Sequence, residues 1–143
     1  MLCVMTAVLA AALSAACAQG NSAPKTSPPV QSEKETRTPA QRKINSQILF
    51  EIYRRRGEAE AKHVPPGPTG VRIDEKDRAY VDIRADVSPA LEKKIRDAGG
   101  TIVSTSREYR SVLAWIPLMR LEHIAADASV RAVEPTAEAE TRK

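Results

Sequence analysis

An α+β domain is predicted for residues 71–136 from the spacing of their apolar residues. Segments with apolar residues at every second position, typical of strands, alternate with segments that repeat every three or four residues, typical of helices. Proline or glycine residues separate these segments. The resulting order is the ferredoxin-like plan βαββαβ. It predicts a four-stranded antiparallel sheet with the first and third strands in the centre, both helices on one face, and the other face open.

Residues 1–18 form an uncharged apolar run that ends in small residues, the pattern of a secretory signal. The run is shorter than a typical membrane span. Two kinds of processing stay open. A signal peptidase can cut after Ala16-Cys17-Ala18, or Leu13–Cys17, which resembles a bacterial lipobox, can make Cys17 the lipidated first residue of a lipoprotein. We expect an exported chain, either secreted or anchored to the cell envelope through Cys17.

Three further segments precede the predicted domain. Residues 19–42 are polar and contain prolines without periodicity, so we expect a disordered linker. Residues 43–62 are expected to form an amphipathic helix, with Arg54–Arg56 near its end and Gly57 as a possible stop. Its apolar stripe consists of Ile44, Ile48, Leu49, Ile52 and Tyr53. We favour a helix docked on the domain with solvated arginines over a membrane-surface or peptide-binding helix. Residues 63–70 are a proline- and glycine-rich linker.

The first half of the domain is expected to contain one strand and one helix. Val71–Ile73 is a candidate for a short extra strand, and Asp74–Asp77 is the turn that follows it. The first main strand alternates two sets of side chains: Val81, Ile83 and Ala85 on one face, and Tyr80, Asp82 and Arg84 on the other. Ser88 and Pro89 begin the helix, and Gly99-Gly100 end it. Its buried stripe is Leu91, Ile95 and Ala98.

The second half is expected to contain three strands and the second helix. Thr101–Thr105 is a short β-branched edge strand, and the central strand follows at Ser111–Ile116. Leu113 and Trp115 lie on the same face of this strand, so they join Tyr80 on the open face of the sheet. Pro117 starts a helix whose stripe is Leu118, Leu121, Ile124 and Ala125. Val130–Val133 is the last strand, and residues 137–143 are an exposed tail.

Few residues in the chain have the chemistry of a catalytic or metal site. The two histidines, His63 and His123, lie in a linker and off the apolar stripe of a helix, without a credible partner for a catalytic triad. Both cysteines, Cys3 and Cys17, lie in the signal segment, and no metal-binding or phosphate-binding motif occurs. We therefore expect no enzyme activity, no cofactor and no metal.

Binding to nucleic acid is also disfavoured. From Val71 onward the chain has thirteen basic and thirteen acidic residues, so the predicted domain is neutral. Sheets of this plan that bind RNA stack aromatic residues on the two central strands of a basic surface. Tyr80 and Trp115 occupy suitable strands, but the neutral charge and the export signal favour a protein partner.

The segment Tyr109–Pro135, YRSVLAWIPLMRLEHIAADASVRAVEP, resembles the second half of the subtilisin propeptide-like inhibitor domain. The matching features are an apolar strand, a helix of the form L-x-x-L and a final strand, Val130–Pro135. The first half, from Tyr80 to Gly99-Gly100, fits the same pattern. The resemblance covers about half of the chain and implies a binding protein.

Members of that family place the open sheet face on surface helices of a subtilase and the C-terminal tail in its substrate cleft. Carried over to this chain, the resemblance makes Tyr80, Leu113 and Trp115 the sheet-face contacts and Glu108 a turn carboxylate beside a helix N-terminus. The tail contacts would be Thr136, Ala137, Glu138 and Ala139. The expected function is a non-catalytic inhibitor or folding assistant of a subtilisin-like serine protease. Two alternatives stay open: an N-terminal fragment of a larger secreted subtilase or surface protein, and a structural lipoprotein module of the cell envelope.

Overall fold

The computed structural model describes residues 32–136. The predicted signal segment with Cys17, the first part of the predicted linker, and residues 137–143 lie outside this range. The helices of the described part are α1 (Pro39–Arg42), α2 (Ser46–Arg56), α3 (Pro89–Asp97) and α4 (Leu121–Ala125), with a 3₁₀ turn at Leu118–Arg120. Its strands are β1 (Arg78–Ala85), β2 (Thr101–Ser106), β3 (Ser111–Pro117) and β4 (Val130–Pro135).

The strands form one antiparallel sheet in the order β2-β3-β1-β4. The predicted α+β class with a four-stranded antiparallel sheet is confirmed, and β1 and β3 lie in the centre of the sheet. β1 and β3 pair from Arg78 opposite Pro117 to Arg84 opposite Ser111, which covers all of β3. This pairing fixes which side chains share a face of the sheet.

One face of the sheet is buried beneath the helices. Alternate residues of the two central strands are inaccessible to solvent, and they are Ala79, Val81, Ile83, Ala85, Val112, Ala114 and Ile116. The alternation is the one that the sequence predicts, because successive side chains of a strand point to opposite faces. The opposite face is the candidate site described below.

Helix α3 begins and ends where the sequence predicts. The backbone N–H of Leu91 donates to Ser88 Oγ at 3.2 Å, and Pro89 occupies the first turn. Leu91 and Ile95 are buried against the sheet. A side chain at Gly100 would place its Cβ 2.8 Å from the carbonyl oxygen of Ile95, so only glycine allows the chain to turn this closely into β2.

The second predicted helix is shorter than expected. Pro117 is the last residue of β3 instead of the first residue of the helix, and a 3₁₀ turn precedes the five-residue α4. The predicted stripe is nevertheless correct, since Leu118, Leu121, Ile124 and Ala125 are all buried. The extra strand expected at Val71–Ile73 is reduced to a single bridge between Ile73 and Ala79.

The N-terminal segment belongs to the domain, and this corrects its predicted boundary at residue 71. Among residues 32–136, five of the twenty buried apolar residues come from it, namely Ile44, Ile48, Leu49, Ile52 and Tyr53. The stripe of α2 is therefore part of the core, as the docked-helix interpretation predicts. It offers no apolar surface for a membrane or for self-association.

Residues 43–45 continue the sheet instead of starting α2. Ile44 bridges Val133 in parallel, Asn45 N–H donates to the Val133 oxygen at 2.9 Å, and Val133 N–H donates to the Lys43 oxygen at 2.7 Å. Asn45 then caps α2 through its side chain, and Gly57, with a φ of 72°, ends it. The predicted helix over 43–62 is thus limited to Ser46–Arg56.

Helix α1 lies inside the segment that the sequence predicts to be disordered. Thr38 and Gln41 form a reciprocal capping box, which stabilises this single turn. The Gln41 side chain also donates to Glu122 Oε1 at 2.7 Å, across the domain. Because such contacts join residues far apart in the chain, local composition does not reveal them.

The three arginines at the end of α2 are paired, contrary to the expectation of solvated side chains. Arg56 donates to both carboxylate oxygens of Glu122, at 3.1 and 2.7 Å. Burial disfavours the charged form of Glu122, but the hydrogen bonds from Arg56 and Gln41 outweigh it and lower the pKa of this carboxyl. Arg54 holds the linker over residues 63–70, where it donates to the carbonyl oxygens of Pro65 and Gly67.

Candidate functional site

The open face of the sheet carries the side chains of β1 and β3 that point away from the helices. In register, Tyr80 lies opposite Trp115, Asp82 opposite Leu113, and Arg84 opposite Ser111. The outer strands extend the face, with Thr101 beside Trp115 and Glu134 beside Asp82. We call this surface the open face.

An aromatic pair occupies one half of the open face. The rings of Tyr80 and Trp115 stack with their centroids 4.9 Å apart and an angle of 26° between their planes. Such a cross-strand pair contributes about 0.5–1.5 kcal/mol beyond its buried area. Both side chains are half-buried, as is the neighbouring Leu113. The three sheet-face residues predicted from the sequence are therefore brought together.

Arg72 joins this aromatic pair. Its guanidinium carbon lies 5.5 Å from the ring centre of Trp115 and 5.8 Å from that of Tyr80, within cation–π distance. The segment is held there because Tyr80 N–H donates to the Arg72 oxygen at 2.9 Å. Arg72, Trp115 and residues 73–76 line a shallow depression of about 470 Å³. The periodicity of the sequence does not predict that Arg72 lies on this face, since its position depends on the turn at Asp74–Asp77.

Charged and hydroxyl groups occupy the other half of the open face. Ser111 Oγ donates to Asp82 at 2.5 Å, and Arg84 pairs with Asp82 at 3.0 Å. A second depression of about 350 Å³ lies here, and its lining is Asp82, Arg84, Ser104, Ser106, Tyr109, Ser111 and Leu113. Tyr109 is 71% exposed at its rim. An aromatic residue in an otherwise polar turn is the sequence signal that could have identified Tyr109.

Two further predicted residues, Glu108 and Thr136, lie at opposite ends of the open face. Glu108 is exposed in the turn between β2 and β3, at the end of the sheet where Arg84 lies. Thr136 leaves the sheet at the other end, where its N–H and its Oγ1 both approach the Tyr80 oxygen at 3.3 Å. The described part of the chain therefore ends beside the aromatic pair. Ala137, Glu138 and Ala139, like the lipidation candidate Cys17, lie outside the described residues.

A separate depression of about 360 Å³ lies on the helical side of the domain, between α3 and α4. Lys93 and Lys94 line it, but Lys93 pairs with Asp97 at 2.6 Å and Lys94 with Asp127 at 3.0 Å. Arg120 and the exposed His123 also line it. Since most of its charge is balanced within the domain, we place the candidate site on the open face.

The described part of the chain holds neither a metal-ligand cluster nor a membrane-spanning helix. Over residues 32–136, no group of three His, Cys, Asp or Glu side chains is placed to hold a metal ion. His63 and His123 are both exposed, on a loop and on α4. Within the same residues, no helix has the length and apolar character needed to cross a bilayer. The open face instead offers aromatic, apolar and charged groups on a rigid sheet.

Comparison of the chain with protein-family models, with curated proteins and with solved structures found no match.

Proposed function

We propose that this domain is a non-catalytic binding module that docks its open face on a subtilisin-like serine protease, as an inhibitor or folding assistant. The observation that carries the proposal is the stacked pair of Tyr80 and Trp115 beside Leu113, on the sheet face away from the helices. Aromatic residues on a rigid surface are typical anchors of protein interfaces.

The ferredoxin-like class is part of the same proposal. Its support is the order of elements, in which α3 follows β1 and the turn with α4 follows β3, together with the strand order β2-β3-β1-β4. With helices on one face only, this arrangement leaves a whole sheet face for a partner. The propeptide-like inhibitor domains that the chain resembles use that face.

The composition of the open face suits a partner surface made of helices. The flat aromatic half can pack on the sides of two helices, because the Tyr80 and Trp115 rings bury large apolar areas at little entropic cost. The carboxylate of Glu108, at the end of the face, can lie beside a helix N-terminus, where the helix dipole favours it by about 0.3–1 kcal/mol.

The position of Thr136 supports a role for the tail. Its contacts with the Tyr80 oxygen fix where the chain leaves the sheet. A partner bound on the aromatic half of the open face therefore meets the beginning of the tail. We propose that residues 136–139 enter the substrate cleft of the protease, and that the domain acts outside the cytoplasm, with Cys17 as the candidate anchor.

The test is a titration of the chain from Gln19 to Lys143, which contains every described residue, against a panel of subtilisin-type proteases. Residual protease activity and cleavage of the tail are followed together. We expect inhibition in the nanomolar to micromolar range. Trp115→Ala should weaken it by about 2 kcal/mol or more, which corresponds to about thirtyfold.

Met119→Ala is the matched control, because Met119 is 47% exposed and lies on the 3₁₀ turn that precedes α4, away from the open face. Its inhibition constant should equal that of the unchanged chain. Circular dichroism of all three proteins verifies that they are folded. A folded chain that inhibits no member of the panel, or a Trp115→Ala variant that inhibits as well as the unchanged chain, would refute the proposal.

A further inference from the structure

The two edge strands of the sheet differ in whether another backbone segment pairs with them. At the β4 edge, the backbone of residues 43–45 pairs with Val133, and Arg131 and Glu134 add charge. At the β2 edge, the only backbone pairing of Thr101–Ser106 among the described residues is with β3. Half of the N–H and C=O groups of an edge strand point outward and can accept another strand.

The side chains of β2 do not protect this edge, although its bulge is a feature that commonly opposes edge pairing. Its sequence, TIVSTS, has no charged residue and no proline, although both commonly prevent association of edge strands. Val103 is 54% exposed, and four of the six residues are exposed in all. A bulge between Ile102 and Ser104 is the single irregular feature of this strand.

We propose that β2 is a self-association edge, which pairs antiparallel with β2 of a second copy of this chain. In the proposed register, Thr101 lies opposite Ser106 of the second copy and Ile102 opposite its Thr105. Such Thr and Ser pairs stabilise cross-strand contacts. Beyond the strand, Arg107 and Glu108 lie opposite Gly100 and Gly99 of the second copy, so that no like charges meet.

The bulge makes this register consistent with the two faces of the sheet. Thr101 lies opposite Trp115 and Ser106 opposite Ser111, so both belong to the open face. In a regular strand, residues five positions apart would point to opposite faces. Because the bulge adds one residue, Thr101 and Ser106 share a face, and Ile102 and Thr105 share the other. In the proposed register Thr101 therefore meets Ser106, and Ile102 meets Thr105, on the same face of the sheet, while Val103 and Ser104 lie at the centre of the contact.

The resulting dimer has one continuous sheet of eight strands, with both open faces on the same side. Six residues from each copy make a small contact, below the size of a standard protein interface. We therefore expect a reversible dimer that forms at high concentration. The contact is made by the outward backbone groups of β2, whereas the proposed protease contacts side chains of the open face, so each proposal is tested without the other.

The test is sedimentation equilibrium of the chain from Gln19 to Lys143, which lacks both cysteines, from low micromolar to near-millimolar concentration. We expect the average mass to rise from that of one chain toward that of two. Val103→Lys adds charge at the exposed edge and should weaken dimerisation by about tenfold or more. Met119→Lys, an equivalent change on the helical side, should dimerise like the unchanged chain.

Amide chemical shifts, measured over the same concentrations, locate the contact. We expect changes in Thr101–Ser106. A chain that stays monomeric throughout would overturn the proposal. So would dimerisation that Val103→Lys leaves unchanged or that Met119→Lys also weakens, and so would shift changes centred on Tyr80 and Trp115. None of these measurements involves a protease, so their outcome is separate from that of the protease titration.

Discussion

Replacing Ile52 with alanine tests whether helix α2 is part of the core. Ile52 lies on the stripe of α2 that faces the domain and is completely inaccessible to solvent. A helix that merely lay on the surface would tolerate this change. A helix that is built into the core would not.

The expected magnitude follows from the atoms removed. The change deletes three carbon atoms, and each buried methylene contributes about 0.8 kcal/mol. The cavity left behind adds to this cost, so that we expect a loss of about 2–5 kcal/mol in the free energy of unfolding. Because small domains have about 5–15 kcal/mol in total, the variant should remain folded but unfold at much lower urea concentration.

Urea unfolding, followed by circular dichroism, measures the effect. Gln47→Ala is the matched control, since Gln47 is an exposed residue of the same helix, and we expect a change within about 0.5 kcal/mol. A loss below about 0.5 kcal/mol for Ile52→Ala, with an unchanged dependence on urea, would refute the assignment of α2 to the core.

Two further predictions concern ionisable groups. Hydrogen bonds from the side chain and backbone of Ser129, and then from Lys94, lower the pKa of Asp127 to about 2. The carboxylate therefore stabilises the fold above its ordinary pKa, and this contribution is lost as the pH falls from about 4 to about 2. With allowance for solvent screening, Asp127→Asn should cost about 1 kcal/mol at neutral pH and nothing at the acid end, as urea unfolding across this range would show. If Asp127→Asn lowered the free energy of unfolding equally at neutral and at acid pH, the prediction would be contradicted. Burial, and then the hydrogen bond to Glu33, raise the pKa of Tyr53 to about 12. Its contribution to stability is complete below about pH 10 and is lost as the pH rises through 12. The phenolate absorbance should show a late component that Tyr53→Phe removes, and its persistence in that variant would contradict the assignment.

Several strand and helix positions in residues 78–135 could be predicted because local signals agree with the structure at those positions. The alternation in β1 and β3, the cap at Ser88 and the glycine pair after α3 each act over a few residues. The prediction of the α4 region was less accurate, since Pro117 is compatible with both the end of a strand and the start of a helix. Arg78 donates a hydrogen bond to the side chain of Thr101, and local signals do not predict such a contact between distant residues.

The docking of the N-terminal segment could not be derived from local signals. The proline-rich stretch over residues 63–70 has the composition of a linker between independent parts. In the structure, Arg54 donates to its carbonyl oxygens, and Thr69 donates to Glu51 at 2.6 Å. These contacts fold the stretch back on α2. Composition predicts that such a segment lacks regular structure, but it does not predict whether the segments on either side pack together.

The candidate site was predicted in part. Strand alternation places Tyr80, Leu113 and Trp115 on one face, and the register of β1 and β3 brings them together. Arg72 was missed because a turn outside the strands positions it. Tyr109 was missed because a turn residue has no periodicity that would assign it to a face.

The bridge between Ile44 and Val133 has a consequence for how the chain folds. These two residues lie near the two ends of the described chain, so the last strand must be present before residues 43–45 have a partner. Contacts between distant residues slow folding, since a large loop must close before they form. The core contributed by α2 is therefore expected to consolidate late, after β4 has joined the sheet. A chain that ended before Val133 would lack the contact that holds its own beginning in place.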